Sequence, residues 1–171
     1  MERQLPLLTG GPRDQPDRLR TMRDAISWSY DLLTEYEQGL FRLISVFVGG
    51  CTVAAVESVA TSPHHPSPVT RHPSPSILDL IQRLADQAML FRVATETGEP
   101  RIGMLETIRE FGLERLADRG EETAARDAHA AWCVALAERA GPELAGPDQT
   151  AWVQRLEADL GNIRAALDWL T

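Results

Sequence analysis

The chain has 171 residues, 43% of them apolar and 25% charged, which leaves room for one mid-sized domain or a small domain with an appendage. Acidic residues outnumber basic ones 25 to 17, and the formal charge of −8 disfavours non-specific attachment to a polyanion. All 17 basic residues are Arg; a P-loop needs a Lys ammonium at the β- and γ-phosphates, so these residues cannot complete a Walker-type nucleotide site.

Residues 1–20, with Gly10, Gly11, Pro6, Pro12 and Pro16, read as an extended lead-in. Met1–Leu8 lacks the cationic start and apolar run of a signal peptide. Nor does any stretch approach the roughly 18 apolar residues of a membrane span. A cytoplasmic location without membrane partners is the expectation. Thr21 then caps a helix whose face is Met22, Ala25, Ile26, Ser29, Leu32 and Leu33, flanked by Trp28 and Tyr30. Thr34 and Glu37 have capping-box spacing and open a second helix through Tyr36, Leu40, Leu43, Ile44 and Phe47, stopped by Gly49 and Gly50. Thr52 caps a short helix through Val53, Val56, Val59 and Ala60. Residues 61–76 carry five prolines and are expected to be a surface loop.

Ser76 caps the next helix, with Ile77, Leu80, Ile81, Leu84 and Ala88 as its stripe. Phe91–Glu96 and Arg101–Leu105, separated by Thr97-Gly98-Glu99-Pro100, predict a β-hairpin. Glu106–Arg119 is helical again and ends at Gly120. The remaining residues are Ala-rich helix: Ala124, Ala128, Ala131, Trp132, Ala135 and Leu136 share a face before breaks at Gly141-Pro142 and Gly146-Pro147. Trp152, Leu156, Leu160, Ile163, Leu167 and Leu170 continue at helical spacing, with an interruption near Gly161. The apolar face at Trp169-Leu170 reads as a truncation point.

The expected fold is mainly α: a winged helix-turn-helix with a small β-hairpin wing over 21–120, then antiparallel helices over 121–171 that begin a superhelical array. In a DNA-binding winged helix the element before the hairpin should be cationic outward. Here it carries Asp79 and Asp86 against Arg83, and the wing sets Arg92 and Arg101 against Glu96 and Glu99. That chemistry argues against direct DNA binding. His64, His65 and His72 lie in the Pro-rich loop without Cys or carboxylates at metal-ligand spacing. His129 and Cys133, at i and i+4, form only half a site among apolar neighbours. Cys51 and Cys133 are too few for a disulfide framework and sit where a thiol serves as a small hydrophobe. Ser27, Ser29 and Ser45 have no nucleophile elbow. With no catalytic constellation and no metal site, the chain reads as a non-enzyme.

Several stretches together resemble one family. Leu7–Arg13 followed by Met22–Leu33 looks like the boundary after the nucleotide-binding core of bacterial signal-transducing ATPases of the STAND class, which have an NB-ARC-like core and include LuxR-type transcriptional regulators. Glu37–Gly50 is similar to the opening of their winged helix, and Arg101–Phe111 to its end. Asn162–Leu167 resembles the start of their tetratricopeptide-like sensor. The resemblance implies a regulatory segment whose winged helix latches a nucleotide-binding core according to nucleotide state. ATP or ADP would be met only through an intact partner core, with no cofactor in this chain. The implied partners are that core and the helical-repeat sensor, in the same or a split protein. Where many relatives have a nucleotide-sensing Met-His-Asp motif, this chain has Met104-Leu105-Glu106, and Leu105 has no side-chain hydrogen bond to offer a phosphate. The alternatives are a small winged-helix DNA-binding transcription factor and, further off, a metal-dependent enzyme.

Overall fold

The computed structural model describes residues 17–63, 75–94 and 99–171, with side chains from residue 21 onward. Helix α1 (Asp17–Asp31) starts before the expected cap at Thr21. It turns Ile26, Tyr30 and, just past its end, Leu33 into the core, leaving Met22, Trp28 and Leu32 exposed. The reason is Tyr30. Its ring lies 5.4 Å from that of Phe41 and 5.6 Å from that of Phe111, and its hydroxyl accepts a hydrogen bond from Arg42 Nη1 at 2.7 Å. A large ring with a satisfied hydroxyl outweighs the smaller residues of the expected face.

Helix α2 (Glu35–Ile44) has the predicted capping box. The Thr34 hydroxyl accepts from the Glu37 N–H at 3.4 Å, and the Glu37 carboxylate accepts from the Thr34 N–H at 2.7 Å. The helix is buried over most of its surface, Phe41 and Arg42 included, and ends at Ile44 rather than at the glycines. Gly49 and Gly50, at φ 79° and 100°, instead turn the chain into strand β1 (Cys51–Thr52). A Cβ on Gly50 would stand 2.7 Å from the Ile102 carbonyl oxygen. Two residues cannot display alternation, so periodicity does not reveal this strand.

Thr52 caps α3 (Val53–Ala60) and Ser76 caps α4 (Ile77–Asp86), both as expected. Ala88 does not extend the α4 stripe: it sits past the helix end at φ 57°, exposed, and Met89 and Leu90 are buried in its place. Strands β2 (Phe91–Val93) and β3 (Arg101–Gly103) form the predicted antiparallel hairpin, with Arg92 opposite Ile102. Strand β1 pairs with the other edge of β3, Cys51 opposite Ile102, so the sheet order is β1-β3-β2. Helix, short strand, two helices and a hairpin closing one small antiparallel sheet make a winged helix. Helix α5 (Glu106–Asp118) returns across α2, where Gly112 permits contact: a Cβ there would lie 2.7 Å from that of Ser45.

Three helices follow: α6 (Glu122–Glu143), α7 (Gln149–Ala158) and α8 (Leu160–Leu170). No break occurs at Gly141-Pro142; α6 runs on through Pro142, and the chain leaves the helix only before Gly146-Pro147. The buried face of α6 is Ala125, Ala128, His129, Trp132, Cys133, Leu136 and Ala140, while Ala131 and Ala135 are exposed. Trp132 and His129 set that rotation by packing edge-on against the Phe47 ring at 5.6 and 4.9 Å. The last two helices part at Asp159, two residues before Gly161. Of the apolar face expected for them, Leu160, Leu167 and Leu170 are exposed, and the buried residues are Asp159, Asn162 and Ala166. One apolar cluster nevertheless extends from Ile26 to Ala166. Residues 1–16, most of the Pro-rich loop with His64, His65 and His72, and the turn at Thr97-Gly98 lie outside the described residues.

Candidate functional site

The element that would enter a DNA groove is α4, and its Ser76 cap and buried Leu80, Ile81 and Leu84 orient the opposite face outward. That face carries Leu78, Asp79, Gln82, Arg83 and Asp86. Gln82 Nε2 donates to Asp86 at 2.8 Å, and the one α4 cation, Arg83, faces the buried Glu37 carboxylate at 3.6 Å. Burial pushes the Glu37 carboxyl up, but bonds from Thr34 and the charge of Arg83 more than offset this and hold it below the ordinary range. The α4 cation, 55% exposed, therefore already faces a carboxylate of its own protein, and the outward face sets this one cation against Asp79 and Asp86.

The wing is depleted further. Arg92 is exposed on β2, but Arg101 on β3 is 3% exposed and turned inward to Asp159 at 2.6 Å. Sequence reasoning counted Arg101 as a surface cation; its position on the central strand of the sheet puts it inside. Its Nη2 also donates to the carbonyls of Gly50 and Ala158 at 3.0 and 3.2 Å, and Nη1 donates to Asp159 at 3.2 Å. Asn162 completes the cluster. Its Nδ2 donates to Gly50 O at 3.0 Å and to Asp159 at 2.9 Å, and its Oδ1 accepts from the Val48 N–H at 2.7 Å. Asp159 and this role of Asn162 were missed at the level of sequence, because a helix break with Asp and Asn looks like surface capping.

A second buried guanidinium, Arg42, binds Glu121 through Nε at 2.7 Å and Nη2 at 2.9 Å, besides its bond to Tyr30. Glu121 thereby ties the start of α6 to α1 and α2.

Met104, Leu105 and Glu106 form the corner between β3 and α5. Met104 packs partly against the core, whereas Leu105, at the N-cap position, is 57% exposed and makes no side-chain cap. Glu106 is held by Arg109 through two bonds of 3.0 and 2.7 Å, which lowers its pKa. Arg109 Nη1 in turn donates to the Ser45 carbonyl at 3.3 Å.

His129 and Cys133 share a buried face, with Cys133 Sγ 3.9 Å from His129 Nε2. Asn162 Oδ1, at 3.3 Å from the same nitrogen, can only accept, so Nε2 carries the proton. Burial lowers the His129 pKa, and burial pushes the thiols of Cys51 and Cys133 up to about 12. These are interior groups rather than reagents. Among the described residues no group of three His, Cys, Asp or Glu could hold a metal, and no helix is long and apolar enough to cross a membrane.

The α6–α8 segment leaves an apolar groove of about 510 Å³ between its helices, lined by Ala140, Leu144, Val153, Leu156, Leu160 and Ile163 among others.

No protein-family model matches the chain, and no solved structure matches it. It is similar to proteins of Mycobacterium bovis and Mycobacterium tuberculosis that are provisionally named HTH-type transcriptional regulators, with 40% identity over 166 residues in each case. The alignment covers 95% of this chain and 17% of each relative, so the chain spans about a sixth of the length of the curated relatives it matches.

Proposed function

We propose that this chain is a non-catalytic regulatory segment of a transcriptional regulator, and that its winged helix works by docking on protein rather than by reading DNA. The observation that carries this reading is the fate of the cations: Arg101 is buried on Asp159, and the outward face of α4 offers one exposed cation, Arg83, which faces Glu37 and stands against Asp79 and Asp86. Holding a phosphate backbone needs several accessible cations on the presenting element. In the finer form of the proposal, the partner is a nucleotide-binding core of the STAND type, the winged helix is its nucleotide-state latch, and α6–α8 open a tetratricopeptide-like sensor. The Met104-Leu105-Glu106 corner would face the nucleotide. Its exposed Leu105 supports contact by packing and by backbone N–H groups, without a side-chain donor. Mixing the chain with such a core tests the latch: slowed nucleotide exchange is expected, and no association with any nucleotide state would overturn it.

A second reading, a DNA-binding regulator, is favoured by the relatives' names and by the winged-helix topology itself. An electrophoretic shift with sequence preference that survives about 200 mM salt would establish it, since purely electrostatic binding fades there.

A further inference from the structure

Helices α7 and α8 pack chiefly on α6 and on each other. They meet the winged helix at their junction, where Arg101, Asp159 and Asn162 join Val48 and Gly50, and where a Cβ on Gly161 would already touch the Val48 carbonyl at 2.9 Å. We propose that this buried polar cluster is an orientation lock: it selects the one seat of α7–α8 on the winged helix, a task the apolar contacts leave underdetermined.

Besides Asn162 the one fully buried α8 side chain is the small Ala166; Leu160, Leu167 and Leu170 are exposed, and the large Trp152, Leu156 and Ile163 are only partly buried. Smooth contacts of this kind hold a helix near a surface without fixing its angle, because no interdigitating ridge penalises a slide. Directional bonds do. Asn162 uses both amide hydrogens, on Gly50 O and Asp159, and its oxygen accepts from Val48 and His129. Arg101 spreads its fork over Asp159, Gly50 and Ala158. A shift of α8 by an ångström or two would strand charges that are 3% exposed. Desolvation offsets much of the attraction within such a pair, so its effect falls on which arrangement survives more than on net stability. Because Arg101 sits on β3, which runs directly into Met104, the lock also makes the α7–α8 seat and that corner one rigid unit. The inference does not depend on what the winged helix docks against.

The test removes the polar cluster while keeping its volume, in the double variant R101M/D159L of the full chain. Spin labels on Ser58→Cys in α3 and Arg164→Cys in α8, both exposed positions, report the seat, since Cys51 and Cys133 are buried and do not compete for label. One narrow distance distribution is expected for the parent. The double variant is expected to melt cooperatively within about 5 °C of the parent and to give a distribution at least twice as broad, or split. A narrow, unshifted distribution in the folded variant overturns the proposal. So does a double variant that fails to fold while R101K folds, because the cluster would then be a stability element.

Discussion

The guanidinium of Arg101 and the carboxylate of Asp159, 58 residues apart, meet at 2.6 Å with both side chains 3% exposed. The pair joins the central strand of the wing to the α7–α8 junction, and it removes from the surface one of the few cations that a DNA-reading wing would need. One contact thus bears both on how the helical segment is held and on what the winged helix can bind.

Removing one partner alone should be costly. In Asp159→Ala the buried Arg101 keeps only the carbonyls of Gly50 and Ala158, and Asn162 loses an acceptor. A loss of about 3–5 kcal/mol is expected, read from the urea midpoint at constant slope.

The capping box predicts a smaller, local effect. Thr34→Ala removes the acceptor for the Glu37 N–H and a hydroxyl that itself donates to the Glu37 carboxylate at 2.8 Å. About 1 kcal/mol should be lost. Thermal melts of T34A against the parent check this, and an unchanged midpoint would show that the box is redundant with the packing of α2.

At Gly112 an added methyl would sit 2.7 Å from the Ser45 Cβ and 3.2 Å from the Phe41 ring. Both neighbours are buried, so Gly112→Ala should force α5 away from α2 and cost about 1–3 kcal/mol, although alanine is the better helix former. A stabilised G112A would contradict this contact.

Stability should fall as pH drops below neutrality. The His129 pKa is lowered by burial beneath its ordinary 6.5, with the charge of Arg126 adding to the effect and the bond to Asn162 opposing it. The unfolded chain therefore takes up the proton first. His129 contributes its full stability above about 6.5, and that contribution is lost as pH falls from there to the folded value. Glu37 and Glu106, whose pKa values are lowered from 4.5, lose their own contribution only as pH falls below about 4.5. In His129→Leu the Asn162 oxygen keeps the Val48 N–H, and the slope of unfolding free energy between pH 7 and 5 should flatten.

Both thiols should be silent toward a disulfide reagent. With burial raising Cys51 and Cys133 to about 12, the thiolate is scarce and out of reach. Reaction of both thiols is expected only in denaturant, and prompt labelling of either one in native buffer would contradict its burial.

The sequence by itself determined several features that depend on neighbours along the chain. The Thr34–Glu37 box, the caps at Thr52 and Ser76, the stripe of Leu80, Ile81 and Leu84, and the hairpin over 91–103 all follow from short-range spacing and hydrogen-bond geometry, and so does the winged-helix order. The acidic character of α4 was equally legible, because charge is composition. Tertiary structure alone decided which side of a helix faces inward when several sides are apolar: Tyr30 displaces the expected face of α1, and His129 and Trp132 rotate α6. It also decided that the two-residue β1 exists, since only the edge of β3 makes it a strand. Above all it brought Arg101, which read as a wing cation, together with Asp159 and Asn162 in the buried joint of the molecule. Burying a charge is favourable only when its partner is in place, and partners 58 residues apart are brought together by the fold and by nothing local.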